Sequence, residues 1–225
     1  MSSLGRKDEH KIAIITCVND RRMYDEAVLY LEQLTVPEGM ELELVSVEEA
    51  CSMASGYNEA MYSTDARYKV YIHQDVLLIR RSILDDIIRL FASDASIGMI
   101  GLLGAEKLVN ACWWEGSLQC GAIINKETPE SYKYCVAHIA KDDSMDVQAI
   151  DGAFMATQYD LPWREDLFKG WHFYDTSQSL EFNQHGYRTV VPRQEEPWFI
   201  HCNGRKFPGR DYEDALNVFV ENYRW

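Results

Sequence analysis

The stretch YKVYIHQDVLLI, residues 68–79, decides the fold prediction because two apolar runs flank three polar residues. Residues 70–72 and 76–79 are apolar and rich in β-branched side chains, as in a buried strand. Between them stand His73, Gln74 and Asp75. Burying an unpaired carboxylate costs roughly several kcal/mol, so Asp75 is expected to have a partner. The stretch therefore predicts a buried strand whose polar centre holds a ligand or another side chain.

The residues around this stretch alternate between strand and helix patterns. Asn19 or Asp20 is expected to cap the first helix, and Ser82 with Asp85 resembles a capping box for the third. Strands are predicted at 11–19, 40–47, 68–79 and 97–103, and helices at about 23–34, 49–62 and 83–93. This β-α-β-α-β-α-β order predicts a parallel, doubly wound sheet with helices on both faces.

The second half of the chain has a different pattern, made mostly of short strands. A helix is predicted at about 176–185, stopped by Gly186, and a docked C-terminal helix within 211–225 through Tyr212, Leu216, Phe219 and Val220. Strands are predicted within 117–125, 132–140, 145–158, 187–193 and 197–202. We expect these strands to extend the same sheet, so that residues 1–225 form a single domain.

Composition excludes several classes of protein. The net charge is −14, from 36 acidic and 22 basic residues, which disfavours nucleic-acid binding because no Lys/Arg run forms a basic patch. The six cysteines contain no CxxC pair, which argues against a zinc ribbon or a thioredoxin-type site and favours free thiols in a reducing compartment. The longest apolar runs are too short to span a bilayer, and residues 1–11 are too polar for a signal peptide. We therefore expect a cytoplasmic protein without a transmembrane segment.

Ligands of open α/β sheets bind outside the carboxyl ends of the strands. Polar residues mark three such ends, at 19–20, 48–49 and 73–75. The sequence has no GxGxxG or GxxxxGK[ST] motif and no GxS in a strand-turn-helix setting, which removes support for dinucleotide, P-loop and hydrolase sites. An Asp75 carboxylate helped by an imidazole suits Mn²⁺ or Mg²⁺ carrying a diphosphate.

Five stretches together resemble one known family. They are KIAIITCVND (11–20), SMASGYNEAMYSTDARYKVYIHQDV (52–76), IDGAFMATQYDL (150–161), GWHFYDTSQSLEFNQHGYRTVVP (170–192) and WFIHC (198–202). In this order they are similar to the GT-A-fold nucleotide-sugar glycosyltransferases of the family 2-like kind. The resemblance implies an α/β fold with a mostly parallel central sheet, helices on both faces and a smaller antiparallel extension. It also divides the chain into a nucleotide-binding half (1–105), an acceptor-side half (106–203) and a tail with a helix (204–225).

The resemblance implies a role for particular residues. His73 and Asp75 occupy the two positions of the DxD motif, His201 is a late metal ligand, and Asp175 is the general base. The remaining residues implied to contact the donor are Thr16, Asn19, Glu48, Asn58, Gln74, Asp151, Gly152 and Trp171, with Asp75 in both roles. Two positions depart from the family pattern, because His73 replaces the first acid and Asp175 is followed by Thr176-Ser177.

The implied activity is transfer of a sugar from a nucleoside-diphosphate sugar to a glycan, lipid-linked or protein acceptor. The resemblance favours an inverting reaction that depends on Mn²⁺ or Mg²⁺. The altered DxD motif leaves open a non-catalytic protein that binds a nucleotide sugar or a glycan. A nucleotidyltransferase ranks third, because TCVNDRRM (16–23) lacks the glycine-rich loop that a triphosphate needs.

Each site residue also has a purely structural interpretation. Asp75 can instead be a carboxylate that stabilises a turn, and His73 and His201 can be histidines packed in the core. Asp175 competes as a helix cap. The pair Trp113-Trp114 either stacks on a sugar or belongs to the core, as most of the six tryptophans are expected to do.

Overall fold

The elements of secondary structure were taken from a computed structural model that describes residues 7–115, 117–128, 130–202 and 209–224. The first half contains β1 (Asp8–Val18), α1 (Arg21–Leu31), β2 (Glu41–Glu48), α2 (Met53–Ser63), β3 (Ala66–His73), β4 (Val76–Leu78), α3 (Ile83–Ser93), β5 (Ile97–Gly101) and β6 (Leu103–Ala105). The second half contains β7 (Gln119–Thr128), β8 (Ser131–Val136), β9 (Ser144–Asp146), β10 (Ala149–Ile150), β11 (Phe154–Thr157), α4 (Tyr174–Gln184), β12 (Arg188–Pro192), β13 (Phe199–His201) and α5 (Arg210–Asn222). Of the predicted tail, residues 204–208 and 225 lie outside the described residues, as do residues 1–6 of the N-terminal segment.

Strand β1 is covered on both faces, as its apolar run predicts. Ile12 and Ile14 pack into one core cluster together with α3, whereas Ala13 and Ile15 pack into a second cluster together with α2. Strands β2 and β3 pair with β1 in parallel, one on each side. The predicted parallel arrangement is therefore confirmed for the first three strands.

A seven-stranded sheet carries this parallel core, in the order β2-β1-β3-β11-β5-β12-β9. Strand β11 lies antiparallel between β3 and β5, so β5 does not pair with β3 directly. Strand β12 is parallel to β5, and β9 closes the edge antiparallel to β12. Strands from the second half of the chain thus complete the sheet begun by the first half.

The stretch 68–79 does not form one strand. Strand β3 ends at His73 in the seven-stranded sheet, and β4 begins at Val76 in a different sheet. The side-chain oxygen of Gln74 accepts hydrogen bonds from the backbone N–H groups of Asn19 and Asp20, at 2.8 Å each, which anchors this break to the end of β1. The prediction of a single strand is wrong at its polar centre.

The second sheet has six strands, with β10-β6-β7-β13-β4 in sequence and β8 paired to β7. It takes up β4, β6, β7, β8, β10 and β13, so the expected extension of one sheet is corrected to two sheets. Gly121 lies where β7 comes very close to the residue before β6. Its φ is +113°, and a Cβ there would lie 2.0 Å from the carbonyl oxygen of Leu102, so only glycine fits.

The N-cap side chains of α1 and α2 accept hydrogen bonds from the backbone, whereas the N-cap residues of α3, α4 and α5 make no such side-chain bond. Asp20 accepts from the backbone N–H groups of Arg22 and Met23, and Ser52 forms a capping box with Ser55. Helix α2 therefore begins four residues after the predicted start at 49. The predicted capping box of Ser82 with Asp85 is wrong, because Ser82 caps no backbone group and donates to the Asp86 carboxylate at 3.2 Å.

Helices α4 and α5 occur where the sequence predicts them, but α4 has a different start and α5 a different buried face. Helix α4 starts two residues earlier than expected, and its N-cap Phe173 has a φ of 62°. Helix α5 buries Phe219, whereas Val220 is exposed and so is not on its docked face. In the described part of the chain no helix is both long and apolar enough to cross a membrane.

Candidate functional site

The ends of two strands bring together the three side chains that the sequence predicts as metal ligands. His73 is the last residue of β3, and His201 is the last residue of β13. Strand β13 pairs antiparallel with β4, with His201 opposite Val76. The backbone N–H of Cys202 donates to the carbonyl of Asp75 at 2.8 Å. The site therefore lies where the two sheets meet.

The distances among His73, Asp75 and His201, named the metal cluster below for the ligand types that they offer, suit a single bound cation. The Nε2 atom of His201 lies 3.5 Å from the Nδ1 atom of His73 and 3.5 Å from Oδ1 of Asp75. One ligand atom from each of the three side chains falls within 4.8 Å of the others. The donor set is two imidazole nitrogens and one carboxylate oxygen, which fits Mn²⁺ and other first-row transition ions better than oxygen-seeking Mg²⁺.

Burial and mutual charge set the protonation of the cluster. Burial, followed by the neighbouring His201, lowers the pKa of His73 to about 4. Burial opposes the charged form of His201, but the contact and charge of Asp75 hold the pKa of His201 above its usual value. Burial likewise opposes the charged form of Asp75, yet the pKa of Asp75 is lowered by its hydrogen bond to His201 and by the charges of both imidazoles. At neutral pH, His73 is therefore a neutral imidazole and Asp75 a carboxylate.

Tyr174 holds the other side of the His73 ring. Its hydroxyl forms a hydrogen bond with Nε2 of His73, which leaves Nδ1 turned towards His201. The backbone at Gly152 comes equally close, since a Cβ there would lie 2.2 Å from the Tyr174 hydroxyl. A glycine is thus required where the turn before β11 meets α4.

Asp175 follows Tyr174 in the first turn of α4, where its carboxylate is removed from water and hydrogen-bonded to the backbone. One carboxylate oxygen accepts from the backbone N–H of Gly152 at 2.9 Å, and the other from that of Thr176 at 2.8 Å. Burial, followed by the charge of Asp151, raises the pKa of Asp175 to about 7. Asp175 does not cap the helix, because Phe173 holds the N-cap position. A carboxyl group with this pKa can exchange a proton near neutral pH.

A cavity of about 150 Å³ brings the candidate base together with His73 and His201, two of the three candidate metal ligands. Its walls include Asp175, Asp151, Trp171, His73 and His201. Gly152 also lines it, so residues that the resemblance assigns to donor, base and metal share one space. Trp171 is 40% exposed and forms an open wall.

Several residues that the resemblance assigns to the sugar donor instead form hydrogen bonds or ion pairs with other residues of the protein. The buried amide of Asn58 spans the backbone of Trp163, donating to its carbonyl at 2.9 Å and accepting from its N–H at 2.8 Å. Gln74 Nε2 donates to the side-chain oxygen of Asn19, so these two amides hold one another. Glu48 pairs with Arg21 at 3.1 Å on the surface.

Thr16 lies in β1 and is buried. Among the described residues its hydroxyl has no hydrogen-bond partner. Of the residues that the resemblance assigns to the sugar donor, Asp151, Gly152 and Trp171 line the cavity together with His73 and His201, whereas Asp75, Thr16, Asn19, Glu48, Asn58 and Gln74 do not.

The sequence indicates Trp114 as a candidate for stacking on a sugar, whereas it carries no signal that Tyr174 and Tyr212 belong to the site. Tyr174, Trp114 and Tyr212 line the same cavity, and the ring of Tyr212 lies 6.2 Å from that of Trp114. Tyr174 stands directly before Asp175, but its partner His73 is 101 residues away. Such a contact follows only from the topology.

Solved structures of other proteins share this architecture. The structure of the mannosyltransferase PcManGT from Pyrobaculum calidifontis, in complex with GDP-Man and Mn²⁺, is similar with a TM-score of 0.55 and 13% identity, covering 89% of this chain and 58% of that one. TarS 1-349 of S. aureus in complex with UDP is similar with a TM-score of 0.53 and 10% identity, covering 92% and 63%. TarS 1-349 with UDP-GlcNAc covers 88% of this chain and 59% of that one, with a TM-score of 0.54 and 10% identity. This chain thus spans less than two thirds of each of these solved chains.

The comparison of the sequence with family models gives the family of this chain. No curated protein matches the sequence. A model described as "Glycosyltransferase like family" matches residues 13–223, nearly the whole chain. The structural likenesses confirm the GT-A-like α/β fold that the resemblance implied. The chain therefore belongs to the Glycosyltransferase like family.

Proposed function

We propose that this protein transfers a sugar, with inversion, from a nucleoside-diphosphate sugar to an acceptor hydroxyl. The observation that carries the proposal is the cavity that Asp175 shares with His73 and His201, two members of the cluster completed by Asp75. A base next to a cation site is what an inverting transfer from a diphosphate-linked sugar needs.

The cluster is proposed to hold a divalent cation, with Mn²⁺ favoured by its nitrogen ligands. When bound, the cation supplies positive charge for the diphosphate that leaves. The protein's own residues preorganise this site: Asp75 provides the one anionic ligand, and Tyr174 orients the His73 ring. The nucleotide sugars of the similar structures, GDP-Man and UDP-GlcNAc, support this class of donor.

Asp175 is proposed to take the proton of the acceptor hydroxyl. As the hydroxyl oxygen forms its bond to the anomeric carbon, the bond from that carbon to the diphosphate oxygen breaks. The bonding pair leaves with the nucleoside diphosphate, and the acceptor's proton goes to the Asp175 carboxylate. The N–H groups of Gly152 and Thr176 hold the carboxylate in place, so one of its lone pairs can face the acceptor.

The cavity walls are proposed to position the two substrates. Trp171 offers an aromatic face on which a sugar ring can stack through its apolar C–H groups. Asp151 accepts from the backbone N–H of Ala153 at 2.8 Å and lies beside Asp175, where it can accept a hydrogen bond from a sugar hydroxyl.

A non-catalytic nucleotide-sugar or glycan-binding protein is the second candidate. It is favoured by one observation, that His73 replaces the first acid of the DxD motif. A nucleotidyltransferase is not supported, because α1 starts at Arg21 directly after the end of β1 and leaves no loop for a triphosphate.

Thermal unfolding with UDP, GDP, CDP or dTDP, each with and without MnCl₂, tests the proposal. We expect one nucleotide to raise the melting temperature in the presence of Mn²⁺, because a ligand at 100 times its Kd stabilises the native state by about 2.7 kcal/mol. The shift should vanish in Asp75→Asn and persist in the matched surface variant Asp211→Asn. Sugar transfer or slow donor hydrolysis must accompany binding, since binding without either would favour the non-catalytic candidate.

A further inference from the structure

A second and larger cavity adjoins the metal cluster on the side of the six-stranded sheet. It has a volume of about 320 Å³, within the range of about 300–1,000 Å³ that small-molecule sites occupy. Its walls include the side chains of Leu103, Trp113, Trp114, Ile123 and Ala137. We call it the aromatic cavity.

One end of the aromatic cavity opens on the candidate active site. Asp151, His201 and Trp114 line both this cavity and the smaller one that contains Asp175. A molecule in the aromatic cavity therefore has its polar end beside Asp151, close to the base. Trp113 and Trp114 meet edge to face, with ring centroids 6.0 Å apart.

The described walls of the aromatic cavity offer few hydrogen-bonding groups away from that end. The side-chain nitrogen of Gln119 already donates to the carbonyl of Trp114. Asn125 is the remaining amide on the described walls. A sugar ring filling the cavity would leave several hydroxyls without partners, which is unfavourable. An apolar group loses nothing of this kind and gains from leaving water.

The aromatic cavity is open to solvent at Trp114, which lines it and is 46% exposed. The opening leaves room for a ligand whose apolar part extends beyond the cavity.

We propose that the aromatic cavity binds an apolar group, an alkyl or isoprenoid chain, of the acceptor whose hydroxyl reaches Asp175. The inference rests on the proposed function and adds the acceptor's chemical class to it. The acceptor then combines a hydroxyl-bearing head at Asp151 with a hydrophobic tail between the tryptophans and β7.

Hexyl and methyl β-D-glucopyranoside test the inference, because they share a sugar and differ only in the apolar group. Each is titrated calorimetrically into the protein with MnCl₂ and the nucleoside diphosphate that stabilises it most. We expect the hexyl compound to bind at least about tenfold more tightly than the methyl compound. Equal affinity for the two compounds would overturn the inference.

Two variants locate the binding to the aromatic cavity. Ile123→Ala removes part of one wall, and Ala137→Leu fills the exposed rim. Both should remove most of the hexyl advantage and leave the affinity for nucleotide and Mn²⁺ unchanged. Tyr134→Ala is the control, because neighbouring side chains along β8 alternate in direction and Tyr134 points away from the cavity-lining Cys135. An advantage that survives in both cavity variants would overturn the assignment.

Failure of this inference differs from failure of the proposed function. A protein that binds nucleotide with Mn²⁺ but does not distinguish the two glucosides overturns only the apolar acceptor. If the protein binds hexyl glucoside but no nucleoside diphosphate, the proposed transferase function is overturned. The cavity is then not an acceptor site.

Discussion

The hydroxyl of Tyr174 is hydrogen-bonded to Nε2 of His73, so the residue directly before the candidate base holds a candidate metal ligand. This contact joins the start of α4 to the end of β3. Movement of the first turn of α4 therefore shifts Asp175 and the His73 ring together. The candidate metal ligands and the candidate base are thus linked through one hydrogen bond.

Replacing Tyr174 with Phe should weaken Mn²⁺ binding by about 10–100-fold, as loss of a residue that orients a ligating imidazole usually does. The ring stays, so its packing on Tyr57, at 5.8 Å between centroids, is kept. Electron paramagnetic resonance titration of Mn²⁺ into the nucleotide-free protein measures the effect. Tyr159→Phe, which loses a hydroxyl bonded to Ala95 far from the site, is the matched control. Unchanged Mn²⁺ affinity in Tyr174→Phe would show that Tyr174 does not orient His73.

Replacing Asp175 with Asn should lower sugar transfer by about 10²–10⁴-fold while donor binding remains, because the amide cannot accept the acceptor's proton. In the wild type, only the ionised carboxylate is active. The pKa of Asp175, raised by burial and by Asp151 to about 7, therefore makes the rate rise with pH up to that value. Initial rates between about pH 5.5 and 8.5 check this profile. A pH-independent rate or retained turnover in the variant would contradict the role as base.

The same carboxyl group should make folding stability depend on pH. The pKa of Asp175 is raised from 3.8 to about 7 by burial and by the charge of Asp151. The native state therefore binds more protons than the unfolded state between these values, and the free energy of unfolding falls as pH rises through this window. Asn removes this effect, so the melting temperature of Asp175→Asn relative to wild type should be higher at pH 8 than at pH 4. An equal difference at both pH values would contradict the raised pKa.

The alternation of strands and helices could be predicted because apolar periodicity is local. Both core faces of β1 follow from one uninterrupted apolar run. The separation of β3 from β4 could not, since two apolar runs flanking a polar tripeptide fit one long strand equally well. The antiparallel insertion of β11 between β3 and β5 depends on pairing across distant parts of the chain, which no local pattern encodes.

The candidate site divides in the same way. His73, Asp75 and His201 were expected together from the family resemblance, and the fold gathers them at the junction of its sheets. The partner of Asn58 is 105 residues away, and nothing near Asn58 in the sequence points to it. A motif position therefore predicts the location of a side chain better than it predicts its contacts.

Asn58 offers a direct test of that distinction. The resemblance places it beside the nucleotide, whereas its buried amide holds the backbone of Trp163 at 2.9 and 2.8 Å. Replacement by Ala leaves a buried N–H and a buried carbonyl without partners, which should lower the free energy of unfolding by about 2–3 kcal/mol. Asn222→Ala, whose exposed amide donates to the Val218 carbonyl within α5, should change it by less than about 0.5 kcal/mol. Urea unfolding measures both variants, and titration with nucleotide and Mn²⁺ at a temperature where Asn58→Ala is folded should give wild-type affinity. A variant with normal stability and weakened nucleotide binding would instead place Asn58 in the donor site.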